Sequence, residues 1–212
     1  MRQAVREHHE RERARGVDYP EIEIRDIWRQ LLDGLIEGGL IAGRGISEVI
    51  SDRIIEALAV EYECRVNPVW PMPGLEQTLA RLSGGGLILG IVSNSQFCTS
   101  LMFDALLGRS VEELGFLSDL CAWSYARRCA KPSTGLYEPV KVRLADRGLD
   151  PQQVLYVGND MRKDIWPASR LGFRTALFAG DRRSLRLEAA EASHEARPTV
   201  TITQLSQLLE VI

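Results

Sequence analysis

Apolar residues recur with helical spacing in the first third of the chain and gather into strand-like runs after it. Between Glu21 and Leu35 they form one stripe, which predicts an amphipathic helix: Ile24, Ile27, Trp28, Leu31, Leu32 and Leu35. A second helix is predicted from Ser47, a favourable N-cap, to about Val60. The N-terminal run RQAVREHHERERAR, before both helices, is almost wholly polar, so we expect it to be exposed. We expect His8 and His9 to lie on a solvated face of this run rather than at a metal. Residues 1 to about 66 are therefore predicted to contain helices only.

Beyond the proline-rich link NPVWPMPG, helices alternate with short apolar runs. A helix is predicted from Leu75 to Leu82, and LILGIVS (87–93) is typical of a strand buried on both faces of a parallel sheet. Three more strands are predicted: LCAWSYA (120–126), VLYVG (154–158) and RTALFAG (174–180). RTALFAG is expected to be the last strand of the chain. This alternation predicts an α/β fold with a parallel, doubly wound sheet and helices on both faces. We divide the chain into a helical region, residues 1–70, and an α/β core, residues 71–212.

Composition narrows the function classes without choosing among them. Apolar residues make up 45% of the chain and charged residues 26%, the balance of a globular protein. The net charge of −3 provides no basic field for nucleic acid or anionic lipid. No apolar stretch is long enough for a membrane span, and the N-terminus is too charged for a secretory signal. The four cysteines form neither CxxC pairs nor zinc spacing, so we predict reduced thiols in a cytoplasmic protein. The oligomeric state is left open.

Polar residues follow the predicted strands at the edge where parallel sheets bind ligands. Ser93 follows the first strand, Lys131 comes shortly after the second, and Asp160 and Asp164 follow the third. A hydroxyl and backbone N–H groups suit phosphate oxygens, and a lysine offsets the charge that develops in phosphoryl transfer. Paired carboxylates suit Mg²⁺. Together these groups predict a metal and phosphate site.

Each residue also has a simpler interpretation. Ser93 and Asn94 are common in turns and helix N-caps, and a lysine before proline is usually a solvated loop residue. Asp160 is a possible N-cap of the next helix, and Asp164 a charge on that helix's surface. The order of the four residues along successive strand ends favours the functional interpretation.

The same segments resemble the motifs of the haloacid dehalogenase (HAD) superfamily, which consists mostly of Mg²⁺-dependent phosphatases working through an aspartyl-phosphate. IVSNS is similar to its second motif, AKPSTGLYEPV to its third and VLYVGNDMRKDIWPA to its fourth, and the likeness covers about residues 70 to 181. It implies that residues 71–212 form a HAD-like Rossmannoid core and residues 1–70 a helical cap. It further implies that Lys131 is catalytic, that Ser93 with Asn94 binds the substrate phosphate, and that Asp160, Asp164 and Asn159 surround Mg²⁺. Asn159 stands where many members carry an acidic residue. The implied substrate is a small phosphorylated metabolite, and no nucleic acid or membrane partner is expected.

The chain departs from the family at its first motif, a strand followed by an Asp-x-Asp pattern whose first aspartate attacks phosphorus. No apolar run followed by such a pattern occurs: Asp18 has no strand before it, and Asp26 and Asp33 lie on the helical stripe. The nucleophile and the central strand are therefore missing, and we expect unpaired edges on the LILGIVS and VLYVG strands. We interpret the chain as an N-terminally shortened hydrolase, inactive as given. The alternative is a catalytically inactive protein that binds phosphate or a partner. A dinucleotide-binding domain is disfavoured, because Gly84, Gly85 and Gly86 precede a strand instead of following one.

Overall fold

The computed structural model describes residues 1–42, 50–187 and 196–212. The helical region contains α1 (Arg2–Ala14), α2 (Ile24–Glu37) and α3 (Asp52–Val66). α2 buries its predicted stripe through Ile27 and Leu32, and it packs on α3. The described helix α3 begins after Ser51, whereas the predicted start at Ser47 lies outside the described residues. α1 buries only Ala4, as its polar sequence predicts, but His8 and His9 are half-buried, so the prediction of a solvated histidine face is wrong.

The α/β region follows a link, residues 67–74, that forms neither helix nor strand, as the prolines predict. Its elements in chain order are α4 (Leu75–Gly84), β1 (Leu89–Ser93), α5 (Cys98–Leu107), β2 (Phe116–Trp123), α6 (Ser124–Arg127), α7 (Glu138–Ala145), β3 (Leu155–Gly158), α8 (Trp166–Arg170), β4 (Arg174–Phe178), β5 (Val200–Ile202) and α9 (Leu208–Val211). The predicted alternation is confirmed. Two strand predictions were incomplete, since β2 begins before residue 120 and β5 follows the strand predicted to be final.

The strands form two separate parallel sheets. β1 pairs with β2, and β3, β4 and β5 pair in that order. Within the described residues no strand joins β1 to β3, which is the place where the sequence predicts that the central strand is missing. The prediction that LILGIVS is buried on both faces is wrong: Leu87 and Ile88 precede the strand and are exposed, and no residue of β1 is fully buried. Because one edge of β1 is unpaired among the described residues, no strand on that side covers the LILGIVS run.

Two apolar clusters join the two sheets to the surrounding helices. On one face, buried residues of β2 and α7 share a cluster with residues of α8 and the turn before β4: Leu120, Ala122, Val140, Leu144, Ala168, Leu171 and Phe173. On the other face, a cluster of Leu82, Ala176, Phe178, Ile202 and Leu208 packs against Leu89 and Leu155. Each cluster therefore contacts both sheets. Burial of this apolar surface provides the main force that holds them together. In the part of the chain that the structure describes, no helix is long and apolar enough to span a bilayer.

The division of the chain at residue 70 stays a prediction. The helical region does contact the core, because the backbone around Pro20 lies antiparallel to Cys129, and Ala130 N donates to Tyr19 O over 2.8 Å.

Candidate functional site

The predicted site residues meet where the carboxyl ends of the two sheets face each other. Ser93 ends β1, Lys131 lies in the loop that follows α6, and Asp164 lies in the helical turn after β3. The Lys131 ammonium is 2.6 Å from Asp164 Oδ1, so the two sheets contribute opposite charges to one ion pair. Both side chains are largely buried, with 11% of Lys131 and 6% of Asp164 exposed. Lys131 is thus not the solvated loop residue of the simpler interpretation.

The ammonium of Lys131 has a complete set of partners. It donates to Asp164, to the phenol oxygen of Tyr156 over 3.1 Å and to the backbone carbonyl of Val92 over 3.2 Å. An ammonium has three protons, so these three acceptors use its full donor capacity. A ligand anion would therefore share or replace one of them.

Asp164 is equally well satisfied. Its Oδ1 accepts from Lys131 and from the Tyr156 hydroxyl at 3.3 Å, and its Oδ2 accepts from the backbone N–H groups of Asn159 and Asp160 at 3.1 and 3.0 Å. The local fold explains this geometry: Asp164 N bonds to Asp160 O, which turns the side chain back over the end of β3. The interpretation of Asp164 as a helix-surface charge is wrong, because the residue is 4% exposed.

Sequence reasoning missed Tyr156. Its hydroxyl lies within hydrogen-bond distance of Lys131, Asp164 and the Val92 carbonyl, which it reaches over 3.0 Å. Burial raises the pKa of the Tyr156 phenol well above its ordinary value, and the neighbouring Tyr137 and Asp164 act in the same direction. The phenol therefore stays neutral and acts as a hydrogen-bonding group. The available signal was a hydroxyl in the middle of the apolar strand VLYVG, since a buried tyrosine hydroxyl usually has a partner.

Tyr137 contacts both Tyr156 and the turn that carries Asp164. Its ring packs on that of Tyr156 with centroids 5.2 Å apart, and its hydroxyl donates to the carbonyl of Lys163 over 2.8 Å. Burial also raises the pKa of Tyr137. Tyr137 therefore ties α7 to the turn that carries Asp164.

Asn94 holds the loop that carries Lys131. Its Oδ1 accepts from Lys131 N over 2.7 Å, and its Nδ2 donates to Lys131 O over 3.2 Å. The amide thus pairs with both backbone groups of the lysine. Among the described residues, the Ser93 Oγ makes one long contact of 3.4 Å, to Asn94 O, so its hydroxyl is available to a ligand. The assignment of both residues to phosphate binding stays a prediction.

Asp160 and Asn159 are engaged in local structure. Asp160 Oδ1 accepts from the backbone N–H groups of Arg162 and Lys163, each over 2.9 Å, and so caps the following turn. This is the N-cap role of the simpler interpretation. Asn159 Nδ2 donates to Ser184 O over 2.6 Å, which fastens the loop after β4. Their assignment to a metal stays a prediction.

The Asp164 carboxylate in this arrangement does not fit a Mg²⁺ ion. Mg²⁺ needs oxygen ligands with free lone pairs and octahedral geometry. Asp164 accepts four hydrogen bonds, and the Lys131 ammonium occupies the position of a counter-ion beside it. No group of three or more acidic, histidine or cysteine residues within 1–42, 50–187 and 196–212 is arranged to hold a metal.

A buried polar network fastens the helical region next to this site. Ser124, which is fully buried, donates from Oγ to Glu21 Oε2 over 2.7 Å and accepts from Ser95 N over 2.8 Å. Gln96 bonds to Ile24 N and Ile22 O over 2.8 and 3.0 Å. The segment before α2 therefore crosses the loops that follow β1 and β2. A substrate bound at Lys131 would lie close to the helical region.

Comparison with known proteins identifies the fold. No protein-family model matches the sequence, and neither does any curated protein. Among solved structures, the chain is similar to a 2-haloacid dehalogenase from Pseudomonas syringae pv. Tomato DC3000, with a TM-score of 0.58 and 20% identity over 89% of this chain and 71% of that one. It is similar to an L-2-haloacid dehalogenase from Xanthobacter autotrophicus, with a TM-score of 0.57 and 18% identity over 90% and 76% of the two chains.

A HAD phosphatase from Thermococcus onnurineus also matches, with a TM-score of 0.51 and 18% identity over 66% of this chain. This chain spans 57% of that phosphatase. These likenesses establish that the protein has the fold of the HAD superfamily, as the motifs predict.

Proposed function

We propose that this protein provides the anion-binding part of a HAD-type hydrolase site, with Lys131 as the group that receives the negative charge of a small metabolite. The observation that carries the proposal is the Lys131–Asp164 pair, with the two charges 2.6 Å apart where the carboxyl ends of the sheets meet. A largely buried lysine held in one position stabilises negative charge more strongly than a solvated one. Asn94 and Tyr156 fix that position through the lysine's backbone and ammonium.

For the hydrolase that the sequence predicts, the proposed substrate is a small phosphorylated metabolite. Ser93 and backbone N–H groups would bind phosphate oxygens next to Lys131. Mg²⁺ does not fit beside Asp164 in this arrangement, so no step of the proposal passes through a metal. Magnesium dependence would require Asp164 to exchange its contact with Lys131 for the ion.

A second candidate is a metal-free hydrolase of small haloacids. Two observations favour it: Asp164 has a lysine as its counter-ion, and an asparagine stands at position 159. Four of the structural neighbours carry the name haloacid dehalogenase. Either hydrolase needs an attacking carboxylate, and Asp164 is the one acidic side chain that the described residues place against Lys131. Binding of an anion or a partner without turnover is the remaining alternative.

Calorimetric titration with inorganic phosphate, with and without Mg²⁺, tests the site. We expect saturable phosphate binding that does not need Mg²⁺ and that is lost in Lys131→Met. The matched control is Lys141→Met on α7, where the side chain makes no hydrogen bond among the described residues. Equal binding by both variants would refute Lys131 as the anion site. Binding only with Mg²⁺ would show that Asp164 rearranges to hold the metal.

Turnover distinguishes the hydrolase from a binding protein. For this chain we expect no hydrolysis of an aryl phosphate or of 2-chloropropionate, because the described residues place no second carboxylate beside Lys131. Release of phosphate or chloride above that of the Lys131→Met variant would show that one of this chain's own carboxylates acts as the nucleophile.

A further inference from the structure

The loop that follows β4, residues 181–187, is fastened to the turn after β3; we call it the arginine loop. Arg186 N donates to Asn159 O, and Arg186 O accepts from Met161 N, each over 2.9 Å. These two bonds run in the manner of a parallel strand pair. The side chain of Asn159 adds a bond to Ser184 O over 2.6 Å. Three hydrogen bonds thus hold the backbone of Arg186 in one position.

Short contacts connect the arginine loop to Lys131 without a gap. Asn159, which holds the loop, donates from its N–H to Asp164 Oδ2 over 3.1 Å. The other carboxylate oxygen, Asp164 Oδ1, is 2.6 Å from the Lys131 ammonium. One asparagine and one carboxylate therefore separate the backbone of Arg186 from Lys131. A ligand that is a few bonds longer than a single phosphate is of the right size to contact both.

The guanidinium of Arg186 is held by its own loop. Its Nη1 donates to the carbonyl of Arg183 over 2.6 Å and to that of Leu185 over 3.0 Å. A guanidinium has five N–H donors, so Nε and Nη2 keep three of them, and these three have no acceptor in the part of the chain that the structure describes. Two parallel N–H groups on one guanidinium edge match the oxygens of a phosphate. Because this edge is already oriented, binding there loses little conformational entropy.

The surroundings of Arg186 are positive, although the chain as a whole has a net charge of −3. Four exposed cations lie on the arginine loop and on the turn after β3: Arg162, Lys163, Arg182 and Arg183. None of the four forms an ion pair within residues 1–42, 50–187 and 196–212. The neighbouring carboxylates of Asp160 and Asp181 each accept two backbone N–H groups. A local positive field on a negative chain suits a small anion better than a long polyanion.

We propose that Arg186 binds a second phosphate group of the substrate, so that the substrate class is a small metabolite with two phosphate groups joined by a short chain. One phosphate lies at Lys131 and the other on the free edge of the Arg186 guanidinium. A phosphate carries a charge of about −1.5 to −2 and therefore offsets more of the surrounding positive charge than a carboxylate does. The position of the first phosphate rests on the proposed function, whereas that of the second rests on the arginine loop alone.

Calorimetric titration of the full chain with two ligands tests this inference. Butyl phosphate and butane-1,4-diyl bisphosphate differ by the second phosphate, and the measured quantity is the ratio of their affinities. We expect a ratio of about ten in the wild type, the gain of charge-assisted hydrogen bonds, and a ratio close to one in Arg186→Gln. Arg186→Lys keeps the charge without the fork and should restore part of the ratio. Arg53→Gln, at an exposed position of α3, is the matched control for the loss of one positive charge.

The other outcomes separate this inference from the proposed function. Absence of bisphosphate binding, a ratio near one in the wild type, or a ratio that Arg186→Gln leaves unchanged overturns the inference. A full ratio in Arg186→Lys, or an equal loss in Arg53→Gln, would assign the effect to charge alone and overturn the role of the fork. Butyl phosphate binding that survives Lys131→Met refutes the proposed function, and a ratio that still depends on Arg186 would then support the second site by itself. If Arg186→Gln does not fold, the wild-type ratio and Arg186→Lys decide.

Discussion

Replacement of Asp164 by asparagine removes the counter-ion of Lys131 from a largely buried position. Loss of one partner of a buried ion pair costs about 3–5 kcal/mol, because the other charge stays behind. Lys131 retains 11% exposure and a flexible stem, so its ammonium can move toward water and the cost lies near the lower value. In addition, the asparagine amide would turn a donor either toward the backbone N–H groups of Asn159 and Asp160 or toward Lys131. We expect the free energy of unfolding to fall by about 3 kcal/mol.

A double-mutant cycle with Lys131→Met isolates the interaction. Lys131→Met alone leaves Asp164 with the Tyr156 hydroxyl and two backbone N–H groups, so we expect a loss of about 2 kcal/mol. In the double variant neither charge remains. Its cost should be smaller than the sum of the single costs by about 2 kcal/mol, within the range for residues in contact. Such a coupling is a large part of the 5–15 kcal/mol typical of a folded protein.

Urea unfolding followed by tryptophan fluorescence measures each corner of the cycle, with equal m-values as the sign that the unfolding transition is unchanged. Asp146→Asn is the control, because its pair with Arg143 is exposed and 3.5 Å long and should contribute under about 0.5 kcal/mol. Additive single costs, with a coupling below about 0.5 kcal/mol, would refute the buried pair. The assignment of Lys131 as a fixed cation would then also be wrong.

Three further predictions concern the turn, the histidine and the buried serine. Gly158→Ala should destabilise the fold by about 1–3 kcal/mol in urea unfolding, because a Cβ there would overlap the Asp164 side chain. The pKa of His9 is lowered by partial burial and by the nearby positive charges of His8 and Arg13. The unfolded chain, in which a histidine has a pKa of about 6.5, therefore takes up this proton more readily than the folded chain. The free energy of unfolding should thus fall as the pH drops below about 6.5. Urea midpoints of wild type and His9→Asn at about pH 7.5 and 5.5 measure this change. Ser124→Ala should cost about 1–3 kcal/mol and hasten proteolysis near Glu21, because it removes the hydroxyl that joins the half-buried Ser95 N–H to Glu21 Oε2.

Controls make these three predictions decisive. Gly34→Ala in α2 is the matched control, because Gly34 has no positive φ and no neighbouring segment within 4 Å of its Cβ position, so a cost equal to that of Gly158→Ala would contradict the overlap with Asp164. An equal pH response of His9→Asn and wild type would assign the pH dependence to other groups. Ser118→Ala, at an exposed position, should change stability by less than about 0.5 kcal/mol. The same small effect at Ser124 would refute its bridging role.

The sequence by itself determined most of the elements and their order, although it missed β5. Strands such as VLYVG and helices such as α2 follow from local periodicity, which reports how a segment buries its own apolar face. The break between the β1 and β3 strands was also readable, because the expected apolar run and acidic motif are missing from the sequence. The order of polar residues after the strands placed Ser93, Lys131 and Asp164 at one edge, since parallel strands present their carboxyl ends together.

Only the tertiary structure decided which of these residues touch and what each contact does. Lys131 and Asp164 are thirty-three positions apart, and their pairing depends on how two sheets pack between shared helices. The same packing made Asp164, for which a helix-surface charge was the simpler interpretation, the buried partner of a lysine. It also brought the Tyr156 hydroxyl to that pair. Hydrogen-bond partners of this kind are set by distances between remote segments, and a linear pattern of apolar and polar residues does not contain those distances.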